Sequence, residues 1–210
     1  MQNTAKFWDG VAEKYAKSPI KDMEAYDFTL ERTLSYLKKT DHVLELGGGT
    51  GTTAIRLAPH VKQYTGSDIS SAMTEVAKRK QGDATNLNFI VGDVHDAINA
   101  ADDYDAVLAF NLLHLLKDLD GALKAIHGSL KPGDLFISKT ISNPGRNAPL
   151  KLRLMKTILP LMQLVGKAPY VNFMSITDLE SRIEAAGFKI LETGNYPARP
   201  PNRFIVAERI

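Results

Sequence analysis

The sequence predicts an α/β fold, a doubly wound sheet of seven strands that is mostly parallel and has an antiparallel C-terminal strand. Two observations predict it. Short apolar runs alternate with amphipathic helical stretches, which is the pattern of parallel strands joined by right-handed helical crossovers. The run at 104–110 is apolar at successive positions, as in a strand covered on both faces. The predicted strands are 43–46, 61–67, 87–91, 104–110, 135–140, 188–195 and 203–209.

We expect one domain over residues 1–210, because the length and the 44% hydrophobic and 24% charged residues are those of an ordinary globular domain. Residues 1–40 form two amphipathic helices ahead of the first strand and are interpreted as an N-terminal helical lid. Their aromatic residues Trp8 and Tyr15 either cover a ligand site or pack on the sheet. Near the other end, the proline-rich link at 197–201 predicts that the last two strands form an antiparallel pair.

A helical insertion at 143–175 interrupts the alternation between strand 5 and the last helix. Its Leu- and Met-rich stretch at 150–165 has basic residues and no acidic ones, and Pro160 is expected to kink it. Three roles stay open: lining an apolar acceptor pocket, resting on an anionic membrane surface through 150–167, or packing on the sheet edge. The regular pattern returns at 177–180, a capping box predicted to open the last helix.

Composition excludes several kinds of chemistry. The formal net charge of +2 is too small to favour a nucleic-acid partner. Because cysteine is absent, disulfides, thiolate metal sites and thiol nucleophiles are excluded. The histidines are scattered without metal-ligand spacing, so we expect no metal. The sequence has neither a signal-peptide core nor an apolar run of membrane-spanning length, so we expect a cytoplasmic location.

A glycine-rich turn at 47–51 separates the first strand from a helix that starts at Thr52. Glycine lets ligand atoms approach the backbone because it has no Cβ. The helix N-terminus adds unpaired N–H groups that suit a carboxylate or a phosphate. The alternative is a turn that binds nothing, but four glycines in five positions weaken folding unless close approach requires them.

Polar residues follow four successive strands: the glycine turn, then Asp68, then Gly92 with Asp93, then Asn111. In an open parallel sheet, ligands bind beyond the carboxyl ends of the strands at the point where strand order reverses. Asp68 comes about twenty residues after the first glycine, the spacing at which a carboxylate takes both hydroxyls of a ribose. The alternative is that Asp68 only caps the following helix.

Two cofactor classes contain a ribose and fit such a site. A nicotinamide dinucleotide requires G-x-G-x-x-G/A, which residues 49–54 satisfy in spacing. That fingerprint should begin where the strand ends, at Gly47, and the segment 47–52 lacks the final small residue. The pattern that does begin at the strand end is Glu-x-Gly-x-Gly-Thr-Gly, at 45–51.

On these residues the chain resembles the class I S-adenosylmethionine-dependent methyltransferases, in the small-molecule group similar to the ubiquinone and menaquinone methyltransferases. The resemblance covers nearly the whole chain. It implies a Rossmann-like sheet with a helical lid insertion and a seventh strand that is antiparallel at the sheet edge. The matching segments are 45–51, Asp68, 91–94, 105–116, 130–133 and the opening Phe7-Trp8-Asp9-x-x-Ala12-x-x-Tyr15. One departure, Gly48, where relatives often carry cysteine or another small residue, alters little.

The resemblance implies S-adenosylmethionine as the cofactor, S-adenosylhomocysteine as its product, and a role for each matching residue. Glu45 braces the glycine turn, and Thr50 or Thr52 binds the methionine carboxylate. Asp68 takes the ribose diol, while Asp93 accepts from the adenine amino group. The residues expected around the methionine moiety are Glu45, Gly47, Gly49, Thr50, Gly51, Thr52, Asn111 and Leu112. Those expected around the ribose and adenine are Asp68, Ile69, Met73, Gly92, Asp93 and Val94, with Tyr15 as the contact from the lid.

The implied function is methyl transfer by in-line displacement to a small, hydrophobic or amphipathic acceptor, with an oxygen, nitrogen or carbon as the methylated atom. His114 is the candidate base, because an unperturbed pKa of about 6.5 suits proton transfer near neutrality. Alternatively, His114 packs against or caps the following loop. A nicotinamide-dependent oxidoreductase and a non-catalytic cofactor-binding protein stay open as other functions. We expect a monomer or a homodimer that acts on a small molecule and not on nucleic acid.

Overall fold

The structure is a computed structural model that describes residues 2–101, 103–143, 158–159, 161–163 and 167–210. The helices described here are α1 (Gln2–Lys17), α2 (Met23–Leu34), α3 (Thr52–Leu57), α4 (Ser71–Lys80), α5 (Val94–Ile98), α6 (Leu119–Ser129) and α7 (Ile176–Ala185). The strands are β1 (His42–Leu46), β2 (Gln63–Asp68), β3 (Leu87–Val91), β4 (Ala106–Phe110), β5 (Leu135–Ile141), β6 (Phe188–Asn195) and β7 (Asn202–Arg209). Short 3-10 helices lie at Ala58–His60 and Leu113–Leu115.

The strands form one sheet in the order β3-β2-β1-β4-β5-β7-β6. The pairs among β1 to β5 are parallel, and strand order reverses between β1 and β4. The predicted doubly wound α/β fold is therefore confirmed. β7 runs antiparallel to β6, as the proline-rich link predicted, and it also runs antiparallel to β5.

The position of β7 differs from the expectation that the seventh strand closes the sheet edge. β7 lies between β5 and β6, so β6 is the edge strand. Burial explains the order. Residues Phe204, Ile205, Val206 and Ala207 of β7 are all fully buried, whereas β6 alternates between shielded and exposed positions. A continuous apolar run requires cover on both faces, and an alternating strand suits an edge.

Helices cover both faces of the sheet. Val107 and Ala109 of β4 belong to an apolar cluster formed with α5, α6 and α7. Ala106 and Leu108 point to the other face and join a cluster formed with α2 and α3. All four side chains are fully buried, so the prediction drawn from the continuous apolar run is confirmed.

The start of the last helix differs from its sequence prediction. The hydroxyl of Ser175 accepts a hydrogen bond from the Asp178 N–H at 3.0 Å, and α7 begins at Ile176. The capping box predicted at 177–180 is therefore wrong by two residues. Ser175 and Thr177 are both residue types that cap helices, and local sequence alone does not choose between them.

Much of the predicted insertion lies outside the described residues. This applies to 144–157 and to Pro160, so the kink and the insertion boundaries stay predictions. Within the described part, residues 158–159 and 161–163 are helical. Three of their apolar side chains are exposed: Ile158, Leu161 and Met162. No helix of the described segments is both long enough and apolar enough to cross a membrane.

Candidate active site

The glycine turn begins directly at the end of β1, and three of its glycines have left-handed backbone angles. The φ values are 66° at Gly47, 56° at Gly49 and 73° at Gly51. A Cβ on Gly51 would lie 2.7 Å from the Phe89 ring and 2.8 Å from the Ala77 methyl group, so this glycine is needed for packing. A Cβ on Gly49 would meet no described atom within 4 Å. Gly49 therefore faces open space at the carboxyl edge of the sheet.

Asp68, at the end of β2, is bonded directly to the glycine turn. Its Oδ2 accepts from the Gly49 N–H at 2.9 Å, and its Oδ1 accepts from the Ser70 N–H at 2.9 Å. Each carboxylate oxygen can accept a second bond, so both keep capacity for a hydroxyl donor. Asp68 thus holds the turn in place and presents acceptors beside the open side of Gly49.

Asp93, at the end of β3, caps α5. Its Oδ1 accepts from the N–H groups of His95 at 2.8 Å and Asp96 at 3.0 Å. Among the described residues no donor reaches its Oδ2, which therefore keeps its capacity to accept a hydrogen bond. The Gly92 N–H donates to the Asp68 carbonyl at 3.0 Å and so joins the ends of β2 and β3.

Asn111, at the end of β4, also has a left-handed φ of 56°. Its N–H donates to the Lys139 carbonyl at 2.6 Å, and its Oδ1 accepts from the Asn202 side chain at 3.1 Å. The next residue, Leu112, packs against the turn, because a Cβ on Gly47 would lie 2.9 Å from Leu112 Cδ1. The end of β4 is thereby placed beside the glycine turn.

The structure brings the predicted strand-end residues to one edge. The Gly48 N–H donates to the Ser67 carbonyl at 2.8 Å, and the bonds of Asp68 and Gly92 continue this connection to β3. Around this edge, Ile69 is half-buried, whereas Thr50 and Met73 are buried. Tyr15 of α1 is half-exposed at 52%. Burial raises the pKa of its phenol, and the charges of Asp68 and Glu45 raise that pKa further. Tyr15 therefore lies within electrostatic reach of Asp68 and Glu45, and its role as a lid contact stays a prediction.

A family model described as a methyltransferase domain matches residues 20–193 of the chain. The chain belongs to this methyltransferase family. Its doubly wound sheet is that of the class I S-adenosylmethionine-dependent enzymes, and S-adenosylmethionine is the methyl donor of that class. The nicotinamide alternative is not supported by this membership.

Known proteins that resemble this chain match different shares of it. It is 27% identical over 157 residues to a ubiquinone biosynthesis O-methyltransferase of Coxiella burnetii, which covers 73% of this chain and 66% of the relative. It is 34% identical over 112 residues to the hybrid PKS-NRPS synthetase apdA of Emericella nidulans, which covers 49% of this chain and 3% of that protein. The chain thus spans a small part of the synthetase and about two thirds of the ubiquinone enzyme.

Among solved structures, the methyltransferase resembles the magnesium protoporphyrin IX methyltransferase ChlM of Synechocystis PCC 6803, solved with bound S-adenosylhomocysteine. The TM-score is 0.71, the identity is 19%, and the match covers 99% of this chain and 96% of that one. At this identity the likeness concerns the fold.

The residues of the methyltransferase fit its cofactor. The space in front of Gly49 is open because this residue has no Cβ. It lies next to the carboxylate oxygens of Asp68. Asp93, whose Oδ2 accepts from no donor among the described residues, lies one strand further along the same edge, at the end of β3. No group of three or more His, Cys, Asp or Glu among the described residues could hold a metal ion.

Glu45 lies beneath the turn and is almost fully buried. Its Oε2 accepts from the Tyr64 hydroxyl at 3.0 Å, and a Cβ on Gly48 would lie 3.1 Å from the same oxygen. Burial raises the pKa of Glu45 to about 7; the Tyr64 hydrogen bond opposes the rise and the charge of Asp68 adds to it. These contacts suit the predicted bracing role, since Glu45 lies against Gly48 of the turn.

His114 is buried in the 3-10 helix after β4, with 7% of its surface exposed. Among the described residues its Nδ1 has no hydrogen-bond partner, and its carbonyl accepts from the Asn172 N–H at 2.7 Å. Burial lowers the pKa of the imidazole to about 4. His114 is therefore neutral at pH 7 and a much weaker base than its unperturbed pKa suggested. Its catalytic role stays a prediction.

Two lysines that support the site carry no local sequence signal. Lys80 Nζ of α4 donates to the Thr50 carbonyl at 3.0 Å and to Thr52 Oγ1 at 2.8 Å. Lys139 Nζ of β5 donates to Thr29 Oγ1 at 2.8 Å, and burial lowers its pKa to about 8. Both lysines lie many residues from their partners, so only the fold reveals them.

Proposed function

We propose that the methyltransferase moves the methyl group of S-adenosylmethionine to a small, hydrophobic or amphipathic acceptor by in-line displacement. One observation carries the cofactor assignment. The glycine turn is open at Gly49, and directly beside it Asp68 is held by two backbone N–H groups with capacity for further donors. A ribose diol needs paired acceptors at a place where the backbone lets it approach, and this pair provides both.

The protein's part in the reaction is positioning. When bound, S-adenosylmethionine supplies a methyl group on a positively charged sulfur, which already makes that methyl reactive. Asp68 and Asp93 hold the nucleoside part, and the glycine turn with Asn111 holds the amino-acid part. Fixing two reactants in line can lower a barrier by several kcal/mol, about 7 or more in favourable cases. Tyr15 of α1, whose phenol feels the charges of Asp68 and Glu45, is proposed as the lid residue that helps to exclude water.

The lowered pKa of His114 limits its ability to remove a proton from the acceptor. An imidazole with a lowered pKa accepts a proton poorly, but a neutral imidazole can still form a hydrogen bond with an acceptor hydroxyl. We propose that His114 orients the acceptor through such a hydrogen bond and takes its proton only when the acceptor is acidic enough to release it. Phenols and acidic carbon acids meet this condition better than simple alcohols.

Three observations support a small apolar acceptor. The relatives include a ubiquinone biosynthesis O-methyltransferase and a hybrid PKS-NRPS synthetase. The net charge of +2 is too small to favour nucleic acid. The described helical residues of the insertion expose Ile158, Leu161 and Met162, which suit contact with an apolar molecule. We propose that the insertion lines the acceptor pocket. An acceptor held in a membrane would reach the site past the exposed apolar side chains of the insertion.

A labelled-methyl transfer assay tests the function. Purified protein, S-adenosylmethionine with a labelled methyl group and a cell extract are incubated, and the labelled product is extracted into organic solvent and identified. We expect label in a small, solvent-extractable molecule. Label in protein or nucleic acid would contradict the proposed acceptor class, and the absence of label with intact cofactor binding would favour a non-catalytic cofactor-binding protein.

A second experiment tests the role of the insertion. Residues 144–166 are replaced by a short Gly/Ser linker, and cofactor affinity and turnover are measured separately. We expect cofactor binding to persist, because the described cofactor residues lie outside this segment, and turnover to be lost. Turnover at the wild-type rate would contradict an acceptor pocket lined by the insertion.

A further inference from the structure

Asp9 of α1 is bonded to the N-terminus of α4. Its Oδ1 accepts from the Ser70 hydroxyl at 2.7 Å and from the Ala72 N–H at 3.2 Å. Ser70 is fully buried and caps α4, because its hydroxyl oxygen also accepts from the Met73 N–H at 3.1 Å. A carboxylate from one helix therefore completes the cap of another, at the end where negative charge is favourable.

Asp9 is linked through Ser70 to Asp68, the carboxylate that is proposed to bind the ribose. The Ser70 hydroxyl binds Asp9, and the Ser70 N–H binds Asp68, which in turn accepts from Gly49. Burial is the main reason that the pKa of Asp68 is raised, and the charge of Asp9 contributes to the rise, so the two carboxylates lie close together. A displacement of Asp9 would free the Ser70 hydroxyl and loosen the residue that orients Asp68.

Other contacts show that α1 lies on α4 along its length. The two helices are in contact, and Ala12 of α1 is 1% exposed. Glu13 and Arg79 also join the two helices, but this ion pair is exposed on both sides, at 64% and 59%. Exposed pairs contribute little to stability. The shielded contact of Asp9 with Ser70 is therefore the polar link that fixes α1 next to the site.

We infer that Asp9 is a positioning residue that couples the docking of α1 to the ribose-binding geometry of Asp68. The inference rests on the proposed function, because it assumes a ribose at Asp68. Docked α1 keeps Ser70 in place through the hydrogen bond of Asp9. Coupling of this kind is reciprocal, so cofactor binding stabilises the docked helix to the same extent that docking favours the cofactor.

The test compares Asp9→Ala and Asp9→Asn with the matched control Glu13→Gln, which removes the exposed contact between the same two helices. Calorimetry measures the affinities for S-adenosylhomocysteine and for its 2′-deoxy analogue. Acrylamide quenching of Trp8, the single tryptophan of the chain, reports the docking of α1. Circular dichroism checks the fold of each variant.

We expect Asp9→Ala to weaken S-adenosylhomocysteine binding about tenfold, as for the loss of one charged hydrogen bond. The 2′-deoxy analogue has one hydroxyl fewer to bond with Asp68. The affinity for this analogue should therefore fall less than about threefold in Asp9→Ala, because the substitution acts through that contact. Trp8 should become more accessible to acrylamide in this variant, and bound S-adenosylhomocysteine should protect it in the wild type. Glu13→Gln should behave as the wild type.

Several results would overturn the inference. Wild-type affinity in Asp9→Ala, or an equal loss for both ligands, would show that Asp9 does not act through Asp68. If Asp9→Ala does not fold, the nearly isosteric Asp9→Asn decides by the same comparison, with an expected loss of about threefold because an oxygen acceptor remains. A wild-type protein that fails to bind S-adenosylhomocysteine overturns the proposed function as well, whereas wild-type binding with unaffected variants overturns the role of Asp9 alone.

Discussion

Two carboxylates at the glycine turn differ in what surrounds them. Glu45 lies below the turn, almost fully buried, with the Tyr64 hydroxyl as its donor. Asp68 lies beside the turn, holds two backbone N–H groups and faces the ligand space. The sequence motif predicted both roles in outline, bracing for Glu45 and ribose binding for Asp68. It did not predict that Asp68 also ties the turn to β2.

The raised pKa of Glu45 predicts that the difference in unfolding free energy between the wild type and Glu45→Gln depends on pH. Its pKa is about 7 in the folded protein against 4.5 ordinarily, so between these values the folded state binds more protons than the unfolded state. Stability therefore falls as pH rises through this range and levels off above about pH 7. Between pH 5 and 8 the wild type should lose about 3 kcal/mol of unfolding free energy relative to Glu45→Gln.

Urea unfolding of the wild type and Glu45→Gln at several pH values measures this difference. The variant keeps an oxygen that accepts from Tyr64 but has no charge to desolvate, so the comparison isolates the titration of Glu45. Parallel pH profiles for the two proteins would contradict a buried carboxyl with a raised pKa.

The lowered pKa of His114 predicts a neutral imidazole under mildly acidic conditions. At pH 5.5 an ordinary histidine is mostly charged, whereas His114, with a pKa of about 4, should stay neutral. Proton NMR of the imidazole signals measures this, and the spectrum of His114→Gln identifies the His114 signal. A titration midpoint near 6.5 would mean that the side chain is solvated and would restore the simpler general-base role.

At the scale of elements, the strand–turn–helix unit of β1, the glycine turn and α3 positions the cofactor site. It was predictable because both of its signals are local: an apolar strand and a cluster of glycines. The supports of the unit were not predictable. Lys80 reaches Thr52 from 28 residues away, and Asn202 reaches Asn111 from 91 residues away. Contacts of this kind depend on tertiary packing and leave no periodic pattern in the sequence.

The glycines of the turn predict two distinct mutant phenotypes. Alanine at Gly51 combines a left-handed φ with a clash against Phe89 and Ala77, so we expect a loss of about 3 kcal/mol of unfolding free energy. Alanine at Gly49 has the strained φ but free space, so we expect a loss of only about 1 kcal/mol. The new methyl group should nevertheless obstruct the cofactor.

Urea unfolding and calorimetry with S-adenosylhomocysteine separate the two effects. Gly49→Ala should be nearly as stable as the wild type yet bind the ligand poorly, and each variant serves as the control for the other. Wild-type affinity in a folded Gly49→Ala protein would mean that the ligand does not occupy the space in front of this residue.

At the scale of the whole molecule, the order of the strands gathers the site. Strand order reverses between β1 and β4, and the polar ends of β1 to β4 meet at the carboxyl edge there. The alternation of strands and helices predicted this fold, because each parallel crossover requires an apolar strand followed by an amphipathic helix, and both are recognisable in the sequence. The placement of β7 between β5 and β6 was not predicted, because a hairpin can join the sheet by either of its two strands.

Calorimetric titration of S-adenosylhomocysteine into the wild type, Asp68→Ala and Asp103→Ala tests the cofactor site most directly. Asp103 is the matched control, because it is an exposed aspartate before β4, at the opposite end of the sheet from Asp68. We expect one ligand per chain in the wild type, the same affinity in Asp103→Ala, and about a hundredfold loss in Asp68→Ala, as for two hydrogen bonds to a charged group. Failure of the wild type to bind, or equal affinity in Asp68→Ala, would contradict an S-adenosylmethionine site at the carboxyl edge of this sheet.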